Sequence, residues 1–205
     1  MTDVYVAILP NEEPCGALSV RERQEEIEAV SNARVRREKY YVWRLLELAI
    51  EKSLGVSAEG LDFYKDVNGK WHCSACKISI SHSAGALAVV VSDYPVGVDI
   101  ERIKIKHPER ACEYILTKKE MEDYRLLAEE DIEEYLISKW CQKEAAFKIF
   151  GGEHFKPSAI ELDGLYLDTR RVELANEKYI LVVATEKFDT VRVFEKNLGG
   201  EKWLT

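Results

Sequence analysis

The sequence predicts an α+β protein built from two halves of similar plan. Three observations predict it. Strand-like and helix-like runs follow one another twice, as strand, helix, strands and then strand, helices, strands. The second series opens at Val96, directly after the turn residues Asp93-Tyr94-Pro95. The 205 residues suit one large domain or two of about 100 residues each. The halves divide at 1–95 and 96–205.

Val4 to Leu9 reads as the first strand, apolar on both faces. Arg21 to Leu54 is helical in pattern, with a break near Ser31-Asn32, since Ser and Asn compete with the helix backbone. Gly55 supplies its stop. Asn68-Gly69 predicts a hairpin with a type I′ turn. Ile78 to Ser81, Leu87 to Ser92 and Val96 to Glu101 read as strands. Thr117 and Glu120 fit a capping box, opening a helix that runs to about Ala128. A long helix follows from about Ile132 to Phe150, closed by Gly151-Gly152. Five short strands finish the chain: Ile160 to Leu162, Leu165 to Asp168, Val172 to Leu174, Tyr179 to Ala184 and Val191 to Glu195.

Composition narrows the function. A net charge of −8 argues against general nucleic-acid binding. No apolar run approaches the roughly 20 residues of a membrane span, and Met1 to Pro10 has no signal-peptide pattern, so the expected compartment is the cytoplasm. The five cysteines, Cys15, Cys73, Cys76, Cys112 and Cys141, are scattered and odd in number, which suits reduced thiols. Cys73-Ser-Ala-Cys76 has no second pair to complete a zinc site, and it reads as loop and strand rather than as a helix start that would activate a thiol. Two reduced loop thiols are the expectation. Arg34, Arg36, Arg37, Lys39 and Arg44 cluster with only Glu38 opposing them; they are either a solvated helix face or the seat of an anion. The acidic run Glu129, Glu130, Asp131, Glu133 and Glu134 reads as a solvated helix start or loop.

Three stretches carry chemistry. In "VGVDIER", Val96, Val98 and Ile100 share one strand face, and Gly97, Asp99 and Glu101 the other. Two carboxylates two residues apart repel unless a cation bridges them, and Gly97 leaves room for a ligand. Taken alone, the strand is read most simply as an exposed face. In "KWCQKEAAFK", Glu144 and Lys148 lie one turn apart on a helix face flanked by Trp140 and Phe147. A helix packed on the strand would bring Glu144 to Asp99 and Glu101, an oxygen set that suits Mg²⁺, with Lys148 beside an anion on the metal. In "SISHSAG", His82 stands between Ser81 and Ser83, where imidazole, hydroxyls and backbone N–H groups could line a phosphate.

Together these stretches resemble the 4′-phosphopantetheinyl transferases of the Sfp type. The family pattern, Val/Ile-Gly-Val/Ile-Asp with an acid two residues on and then an aromatic residue, Lys-Glu-Ala and Lys, is met by Val96-Gly97-Val98-Asp99, Glu101, and Trp140 to Lys148. The match covers about Gly69 to Gly151. The resemblance implies a pseudo-dimer of two similar α+β halves with the active site in the cleft between them, and a monomer in solution. It implies transfer of the 4′-phosphopantetheine arm of coenzyme A to a serine of an apo acyl, peptidyl or polyketide carrier protein, releasing 3′,5′-adenosine diphosphate. It implies that Asp99, Glu101 and Glu144 carry Mg²⁺, that Glu144 is the base for the carrier serine, and that Lys148, His82 and Ser81 contact the phosphates. Lys70 matches the family's Gly-Lys-Pro stretch near the nucleotide, although Trp71 stands where the family has proline. Arg37 and Arg44 are the choices for the 3′-phosphate. The carrier serine serves fatty-acid, polyketide or peptide synthesis. Two other readings use the same residues: a Mg²⁺-dependent pyrophosphate hydrolase, and a non-catalytic module that binds coenzyme A or a carrier.

Overall fold

The computed structural model describes residues 1–152 and 154–199. Its elements are β1 (Thr2–Ile8), α1 (Arg21–Glu28), α2 (Ala33–Leu54), β2 (Phe63–Lys65), β3 (Trp71–Cys73), β4 (Lys77–Ser83), β5 (Ala86–Ser92), β6 (Val96–Arg102), α3 (Pro108–Ile115), α4 (Lys118–Tyr124), α5 (Ile132–Phe150), β7 (Tyr166–Leu174), β8 (Glu177–Thr185) and β9 (Val191–Lys196). The architecture is α+β. Residues 200–205, the end of the expected second half, lie outside the described residues. Among the described residues no helix is long and apolar enough to cross a membrane.

Two sheets meet face to face, each backed by one long helix. The first has the order β4-β5-β1-β9 and the second the order β6-β8-β7. Strand periodicity sorts the side chains into layers. Tyr5, Ala7, Leu87, Val89 and Val91 face α2, packing on Trp43, Leu46 and Ile50. Val4, Val6, Ala88 and Val90 face the other way and meet Val98, Ile100, Leu181 and Val183 of the second sheet. Ile180, Val182 and Ala184 then face α5 through Ile137, Cys141 and Ala145. Helix, sheet, sheet and helix thus stack in order. The chain also crosses between the halves at its end, because β9 pairs in parallel with β1.

The seam between the sheets is made by side chains. β6 pairs only with β8 on one edge, and its other edge runs beside β4 in the same direction. Ser79 Oγ accepts the Val98 N–H at 3.1 Å, Ser81 donates to Asp99, and Ser83 donates to Glu101. Of the alternating serines of "KISISHS", Ser79 thus satisfies a backbone N–H of the β6 edge, and Ser81 and Ser83 hold its two carboxylates.

Several local expectations hold. Asn32 caps α2 by accepting from the Val35 N–H, which explains the break before it, and Gly55 ends the helix at φ +71°. The Thr117–Glu120 capping box is formed. Others are corrected. The hairpin at Asn68-Gly69 exists between β2 and β3, but its turn is not type I′: only Gly69 has positive φ, Asp66 accepts the Gly69 N–H, and Asp66 Oδ1 accepts the N–H groups of Asn68 and Lys70. The Asp66 side chain stabilises a longer loop with one left-handed glycine. The positive φ pair of a two-residue turn falls instead at Ala84-Gly85 and again at Ala175-Asn176. The helix opened by the capping box stops at Tyr124 rather than near Ala128. Ile160 to Leu162 is not a strand; the short stretch between a 3₁₀ turn and Gly164, broken by Glu161, is too brief to pair. The strands expected at Leu165 to Asp168 and Val172 to Leu174 merge into one, β7 (Tyr166–Leu174), whose polar middle lies along the edge of its sheet.

Candidate active site

Gly97 fixes how closely α5 lies on β6. A Cβ added there would overlap the Ala145 carbonyl oxygen, with the carbonyl carbon at 2.8 Å and Lys148 Cβ at 3.2 Å. The space expected for a ligand beside Gly97 is thus filled by helix backbone, because a glycine permits that approach. The consequence is the one that matters: Glu144 and Lys148 stand directly over Asp99 and Glu101.

Asp99, Glu101 and Glu144 each offer a ligand oxygen, and these atoms all lie within 4.8 Å of one another. Asp99 is 1% exposed. Its Oδ1 accepts from Ser81 Oγ at 2.6 Å and from Lys148 Nζ at 2.9 Å, and its buried Oδ2 has no hydrogen-bond partner among the described residues. Glu101 accepts a hydrogen bond from Ser83. Glu144 pairs with Lys148 at 3.1 Å, and the Trp140 indole also reaches it. Lys148 donates further to the Val98 carbonyl at 2.9 Å, so one ammonium ties α5 to β6 at two points, Val98 and Asp99, while it also pairs with Glu144 on its own helix.

Charge crowding shows in the titration of the group. Burial, with added repulsion from Asp99 and Glu144, pushes Glu101 up to about 7 against its hydrogen bond from Ser83. Burial also raises Glu144, although Lys148 opposes the shift. Burial disfavours the Lys148 ammonium, but Asp99 and Glu144 outweigh it and hold its pKa above the ordinary lysine value. A hard divalent cation fits this set: three carboxylates converge, and a buried carboxylate oxygen has no protein partner.

The expected residues of the first half lie at varied distances from this group. Lys70 reaches it, donating to the Lys148 carbonyl from the loop between β2 and β3. Burial lowers the Lys70 pKa. Ser81 is buried at the seam and donates a hydrogen bond to Asp99, so it supports a carboxylate rather than facing outward. His82 points the opposite way along β4, toward α2, with Nδ1 at 3.9 Å from Glu38. Its ring edge reaches solvent, yet enclosure by the surrounding protein depresses its pKa, Lys148 and Lys39 adding to the effect. Arg37 donates to the Asn11 carbonyl. Arg44 pairs with Glu47 at 2.7 Å, and Glu47 also accepts from Ser19. The structure brings Asp99, Glu101, Glu144, Lys148 and Lys70 together; it holds Arg37 and Arg44 in contacts with the segment before α1.

Two features went unforeseen. A cavity of about 220 Å³ adjoins the group, walled by Trp43, Leu46, Trp71, Ile78 and Ile80, with Lys70 and Lys148 at its edge. Its signal in the sequence was Trp71 beside Lys70. The second is Lys143, which looks like a surface residue next to Glu144. It is fully buried and donates to the Ile115 carbonyl at 2.8 Å and to Glu120 at 2.6 Å. Glu120 thereby serves both the α4 cap and the seating of α5.

Residues 95–188 match the family model of the 4′-phosphopantetheinyl transferase superfamily. The span holds Asp99, Glu101, Glu144 and Lys148, and leaves Lys70, Ser81, His82, Arg37 and Arg44 outside it. No curated protein matches the chain.

Proposed function

We propose, from the phosphopantetheinyl transferase superfamily domain at residues 95–188, that the chain transfers the 4′-phosphopantetheine arm of coenzyme A to a serine of an apo carrier protein and releases 3′,5′-adenosine diphosphate. The observation that carries the reading is the convergence of Asp99, Glu101 and Glu144 around Lys148 at the seam of the two sheets. The chain is a transferase of the Sfp type in this reading, acting in the cytoplasm as a monomer.

Mg²⁺ is the expected metal, held by Asp99, Glu101 and Glu144. When bound it would offset the negative charge of a pyrophosphate. The protein's own groups do the rest. Lys148, already held between two carboxylates, and Lys70, beside it, supply cations to the leaving phosphate. His82, with a lowered pKa, is a neutral imidazole near neutral pH and contacts phosphate as a hydrogen-bond donor rather than as a charge. Arg37 and Arg44 bind the 3′-phosphate in this reading. Glu144 accepts the proton of the carrier serine, directly or through water. Its raised pKa brings it nearer the operating pH, which favours a general base.

The test is acceptor dependence. Release of 3′,5′-adenosine diphosphate from coenzyme A is measured with Mg²⁺, with and without apo carrier proteins. The transferase reading expects release only when a carrier is present. Release without a carrier would identify a hydrolase, and coenzyme A binding without release under any carrier would identify a binding module.

A further inference from the structure

Cys73 and Cys76 play no part in the phosphate chemistry, and the fold places them in contact. Cys73 is the last residue of β3, and Cys76 directly precedes β4. Both are buried free thiols in the same apolar cluster, beside Trp43 and Trp71. The intervening bend, held where the Ser74 N–H donates to the Asp62 carbonyl, sets the two thiols three residues apart on the same side of one buried cluster. The backbone N–H groups of Ala75 and Cys76 favour the Cys73 thiolate and lower its pKa. Activation of such a thiol commonly relies on a helix start. Here a tight bend supplies the same donors.

We propose that Cys73 and Cys76 form a redox-active dithiol that exchanges with low-molecular-weight disulfides, such as oxidised glutathione, to give an intramolecular disulfide at the root of the β2–β3 hairpin. The Cys73 thiolate attacks one sulfur of the small disulfide, breaks its S–S bond and releases one thiolate. Cys76 then loses its proton to solvent and attacks the Cys73 sulfur of the mixed disulfide, releasing the second thiolate. The protein loses two electrons, and the small disulfide becomes two thiols.

The order of attack follows from the contacts. The Cys76 hydrogen bond and the two N–H groups stabilise a Cys73 thiolate and pull its pKa down to about 6, against burial. The same hydrogen bond chiefly raises Cys76, so Cys76 is the weaker thiol until Cys73 is bonded elsewhere. Metal binding is the competing use of such a pair. Among the described residues, however, Asp99, Glu101 and Glu144 are the only cluster of three or more potential ligands, so the pair lacks the further ligands of a zinc site. Access comes from the hairpin itself. It has three residues in each strand and, among the described residues, pairs with no other sheet, which favours local opening.

The experiment equilibrates the folded chain with oxidised glutathione, blocks remaining thiols with a maleimide and maps the peptides by mass spectrometry. Exposed Cys15 is the internal control and gives only a glutathione adduct. Wild type is expected to yield a linked Cys73–Cys76 peptide, two hydrogens lighter than the dithiol. Cys76→Ser should trap glutathione on Cys73, and Cys73→Ser should give no link. Maleimide labelling of both Cys73 and Cys76 in wild type after Cys15 has reacted fully would overturn the proposal. So would zinc copurifying in proportion to the two thiols. The readout requires no coenzyme A or carrier, so its failure is separable from failure of the transferase reading.

Discussion

At the residue scale, the three carboxylates each offer one oxygen to the cluster and differ in what else holds them. Asp99 is enclosed and accepts two hydrogen bonds on one oxygen, whereas Glu144 meets Lys148 at the open side of the group. Glu144→Gln keeps the shape of the side chain and one oxygen for a cation, but removes the proposed base. Turnover is expected to fall by roughly 100-fold or more, while coenzyme A affinity is largely kept. Calorimetry and a turnover assay on one preparation check the split, and equal losses in both would assign Glu144 to binding alone. Glu101 gives a second prediction. Its carboxyl has an ordinary value of 4.5 and is pushed to about 7 in the folded protein. The folded state therefore holds more protons between those values, so this group's contribution is fully present below pH 4.5 and is lost as the pH rises through 7. Without divalent cations, the Tm of wild type should fall relative to that of Glu101→Gln across this window. Parallel curves for the two proteins would show that Glu101 titrates normally.

At the element scale, the close approach of α5 to β6 is the feature on which the site depends. Gly97→Ala would force the Ala145 backbone away from the strand. Backbone cannot yield as a flexible side chain does, so the loss should reach or exceed the usual 1–3 kcal/mol of an overpacked core, about 3 kcal/mol here. Turnover should drop with it, because Glu144 and Lys148 ride on the displaced helix. Chemical denaturation checks the first effect, and wild-type stability in the variant would mean that α5 does not rest on Gly97. Much of this element was readable in advance. The spacing of Asp99 and Glu101 on one strand face, and of Glu144 and Lys148 on one helix face, follows from periods of two and 3.6 residues. The depth of contact was not readable, since a glycine in a strand admits either a ligand or a backbone. Lys143 was misleading for a related reason: a lysine beside a glutamate looks solvated until a distant carboxylate, Glu120, and the end of α3 are brought to it. Turn types failed locally as well, because the Asp66 side chain outcompeted the Asn68-Gly69 preference.

At the scale of the whole molecule, the two sheets place groups from distant segments around one site. Lys70 and the serines of β4 come from before Val96, and the carboxylates and Lys148 from after it. That β9 returns to pair with β1 could not be read from an edge strand with ordinary alternation; only the closed topology shows it. The −8 charge of the chain has a consequence for partners. An acidic carrier would not be steered by net charge, so docking must rest on a local apolar or basic surface, and association should depend only weakly on salt. The central claim is transfer to a carrier serine, and the intact mass of the carrier tests it most directly. Several apo carrier proteins are incubated with the chain, coenzyme A and Mg²⁺. The account predicts that at least one carrier gains the mass of one phosphopantetheine arm at its serine, and that Asp99→Ala and Glu144→Gln abolish or greatly slow the gain. Carriers that all keep their apo mass while the wild-type chain binds coenzyme A would contradict it.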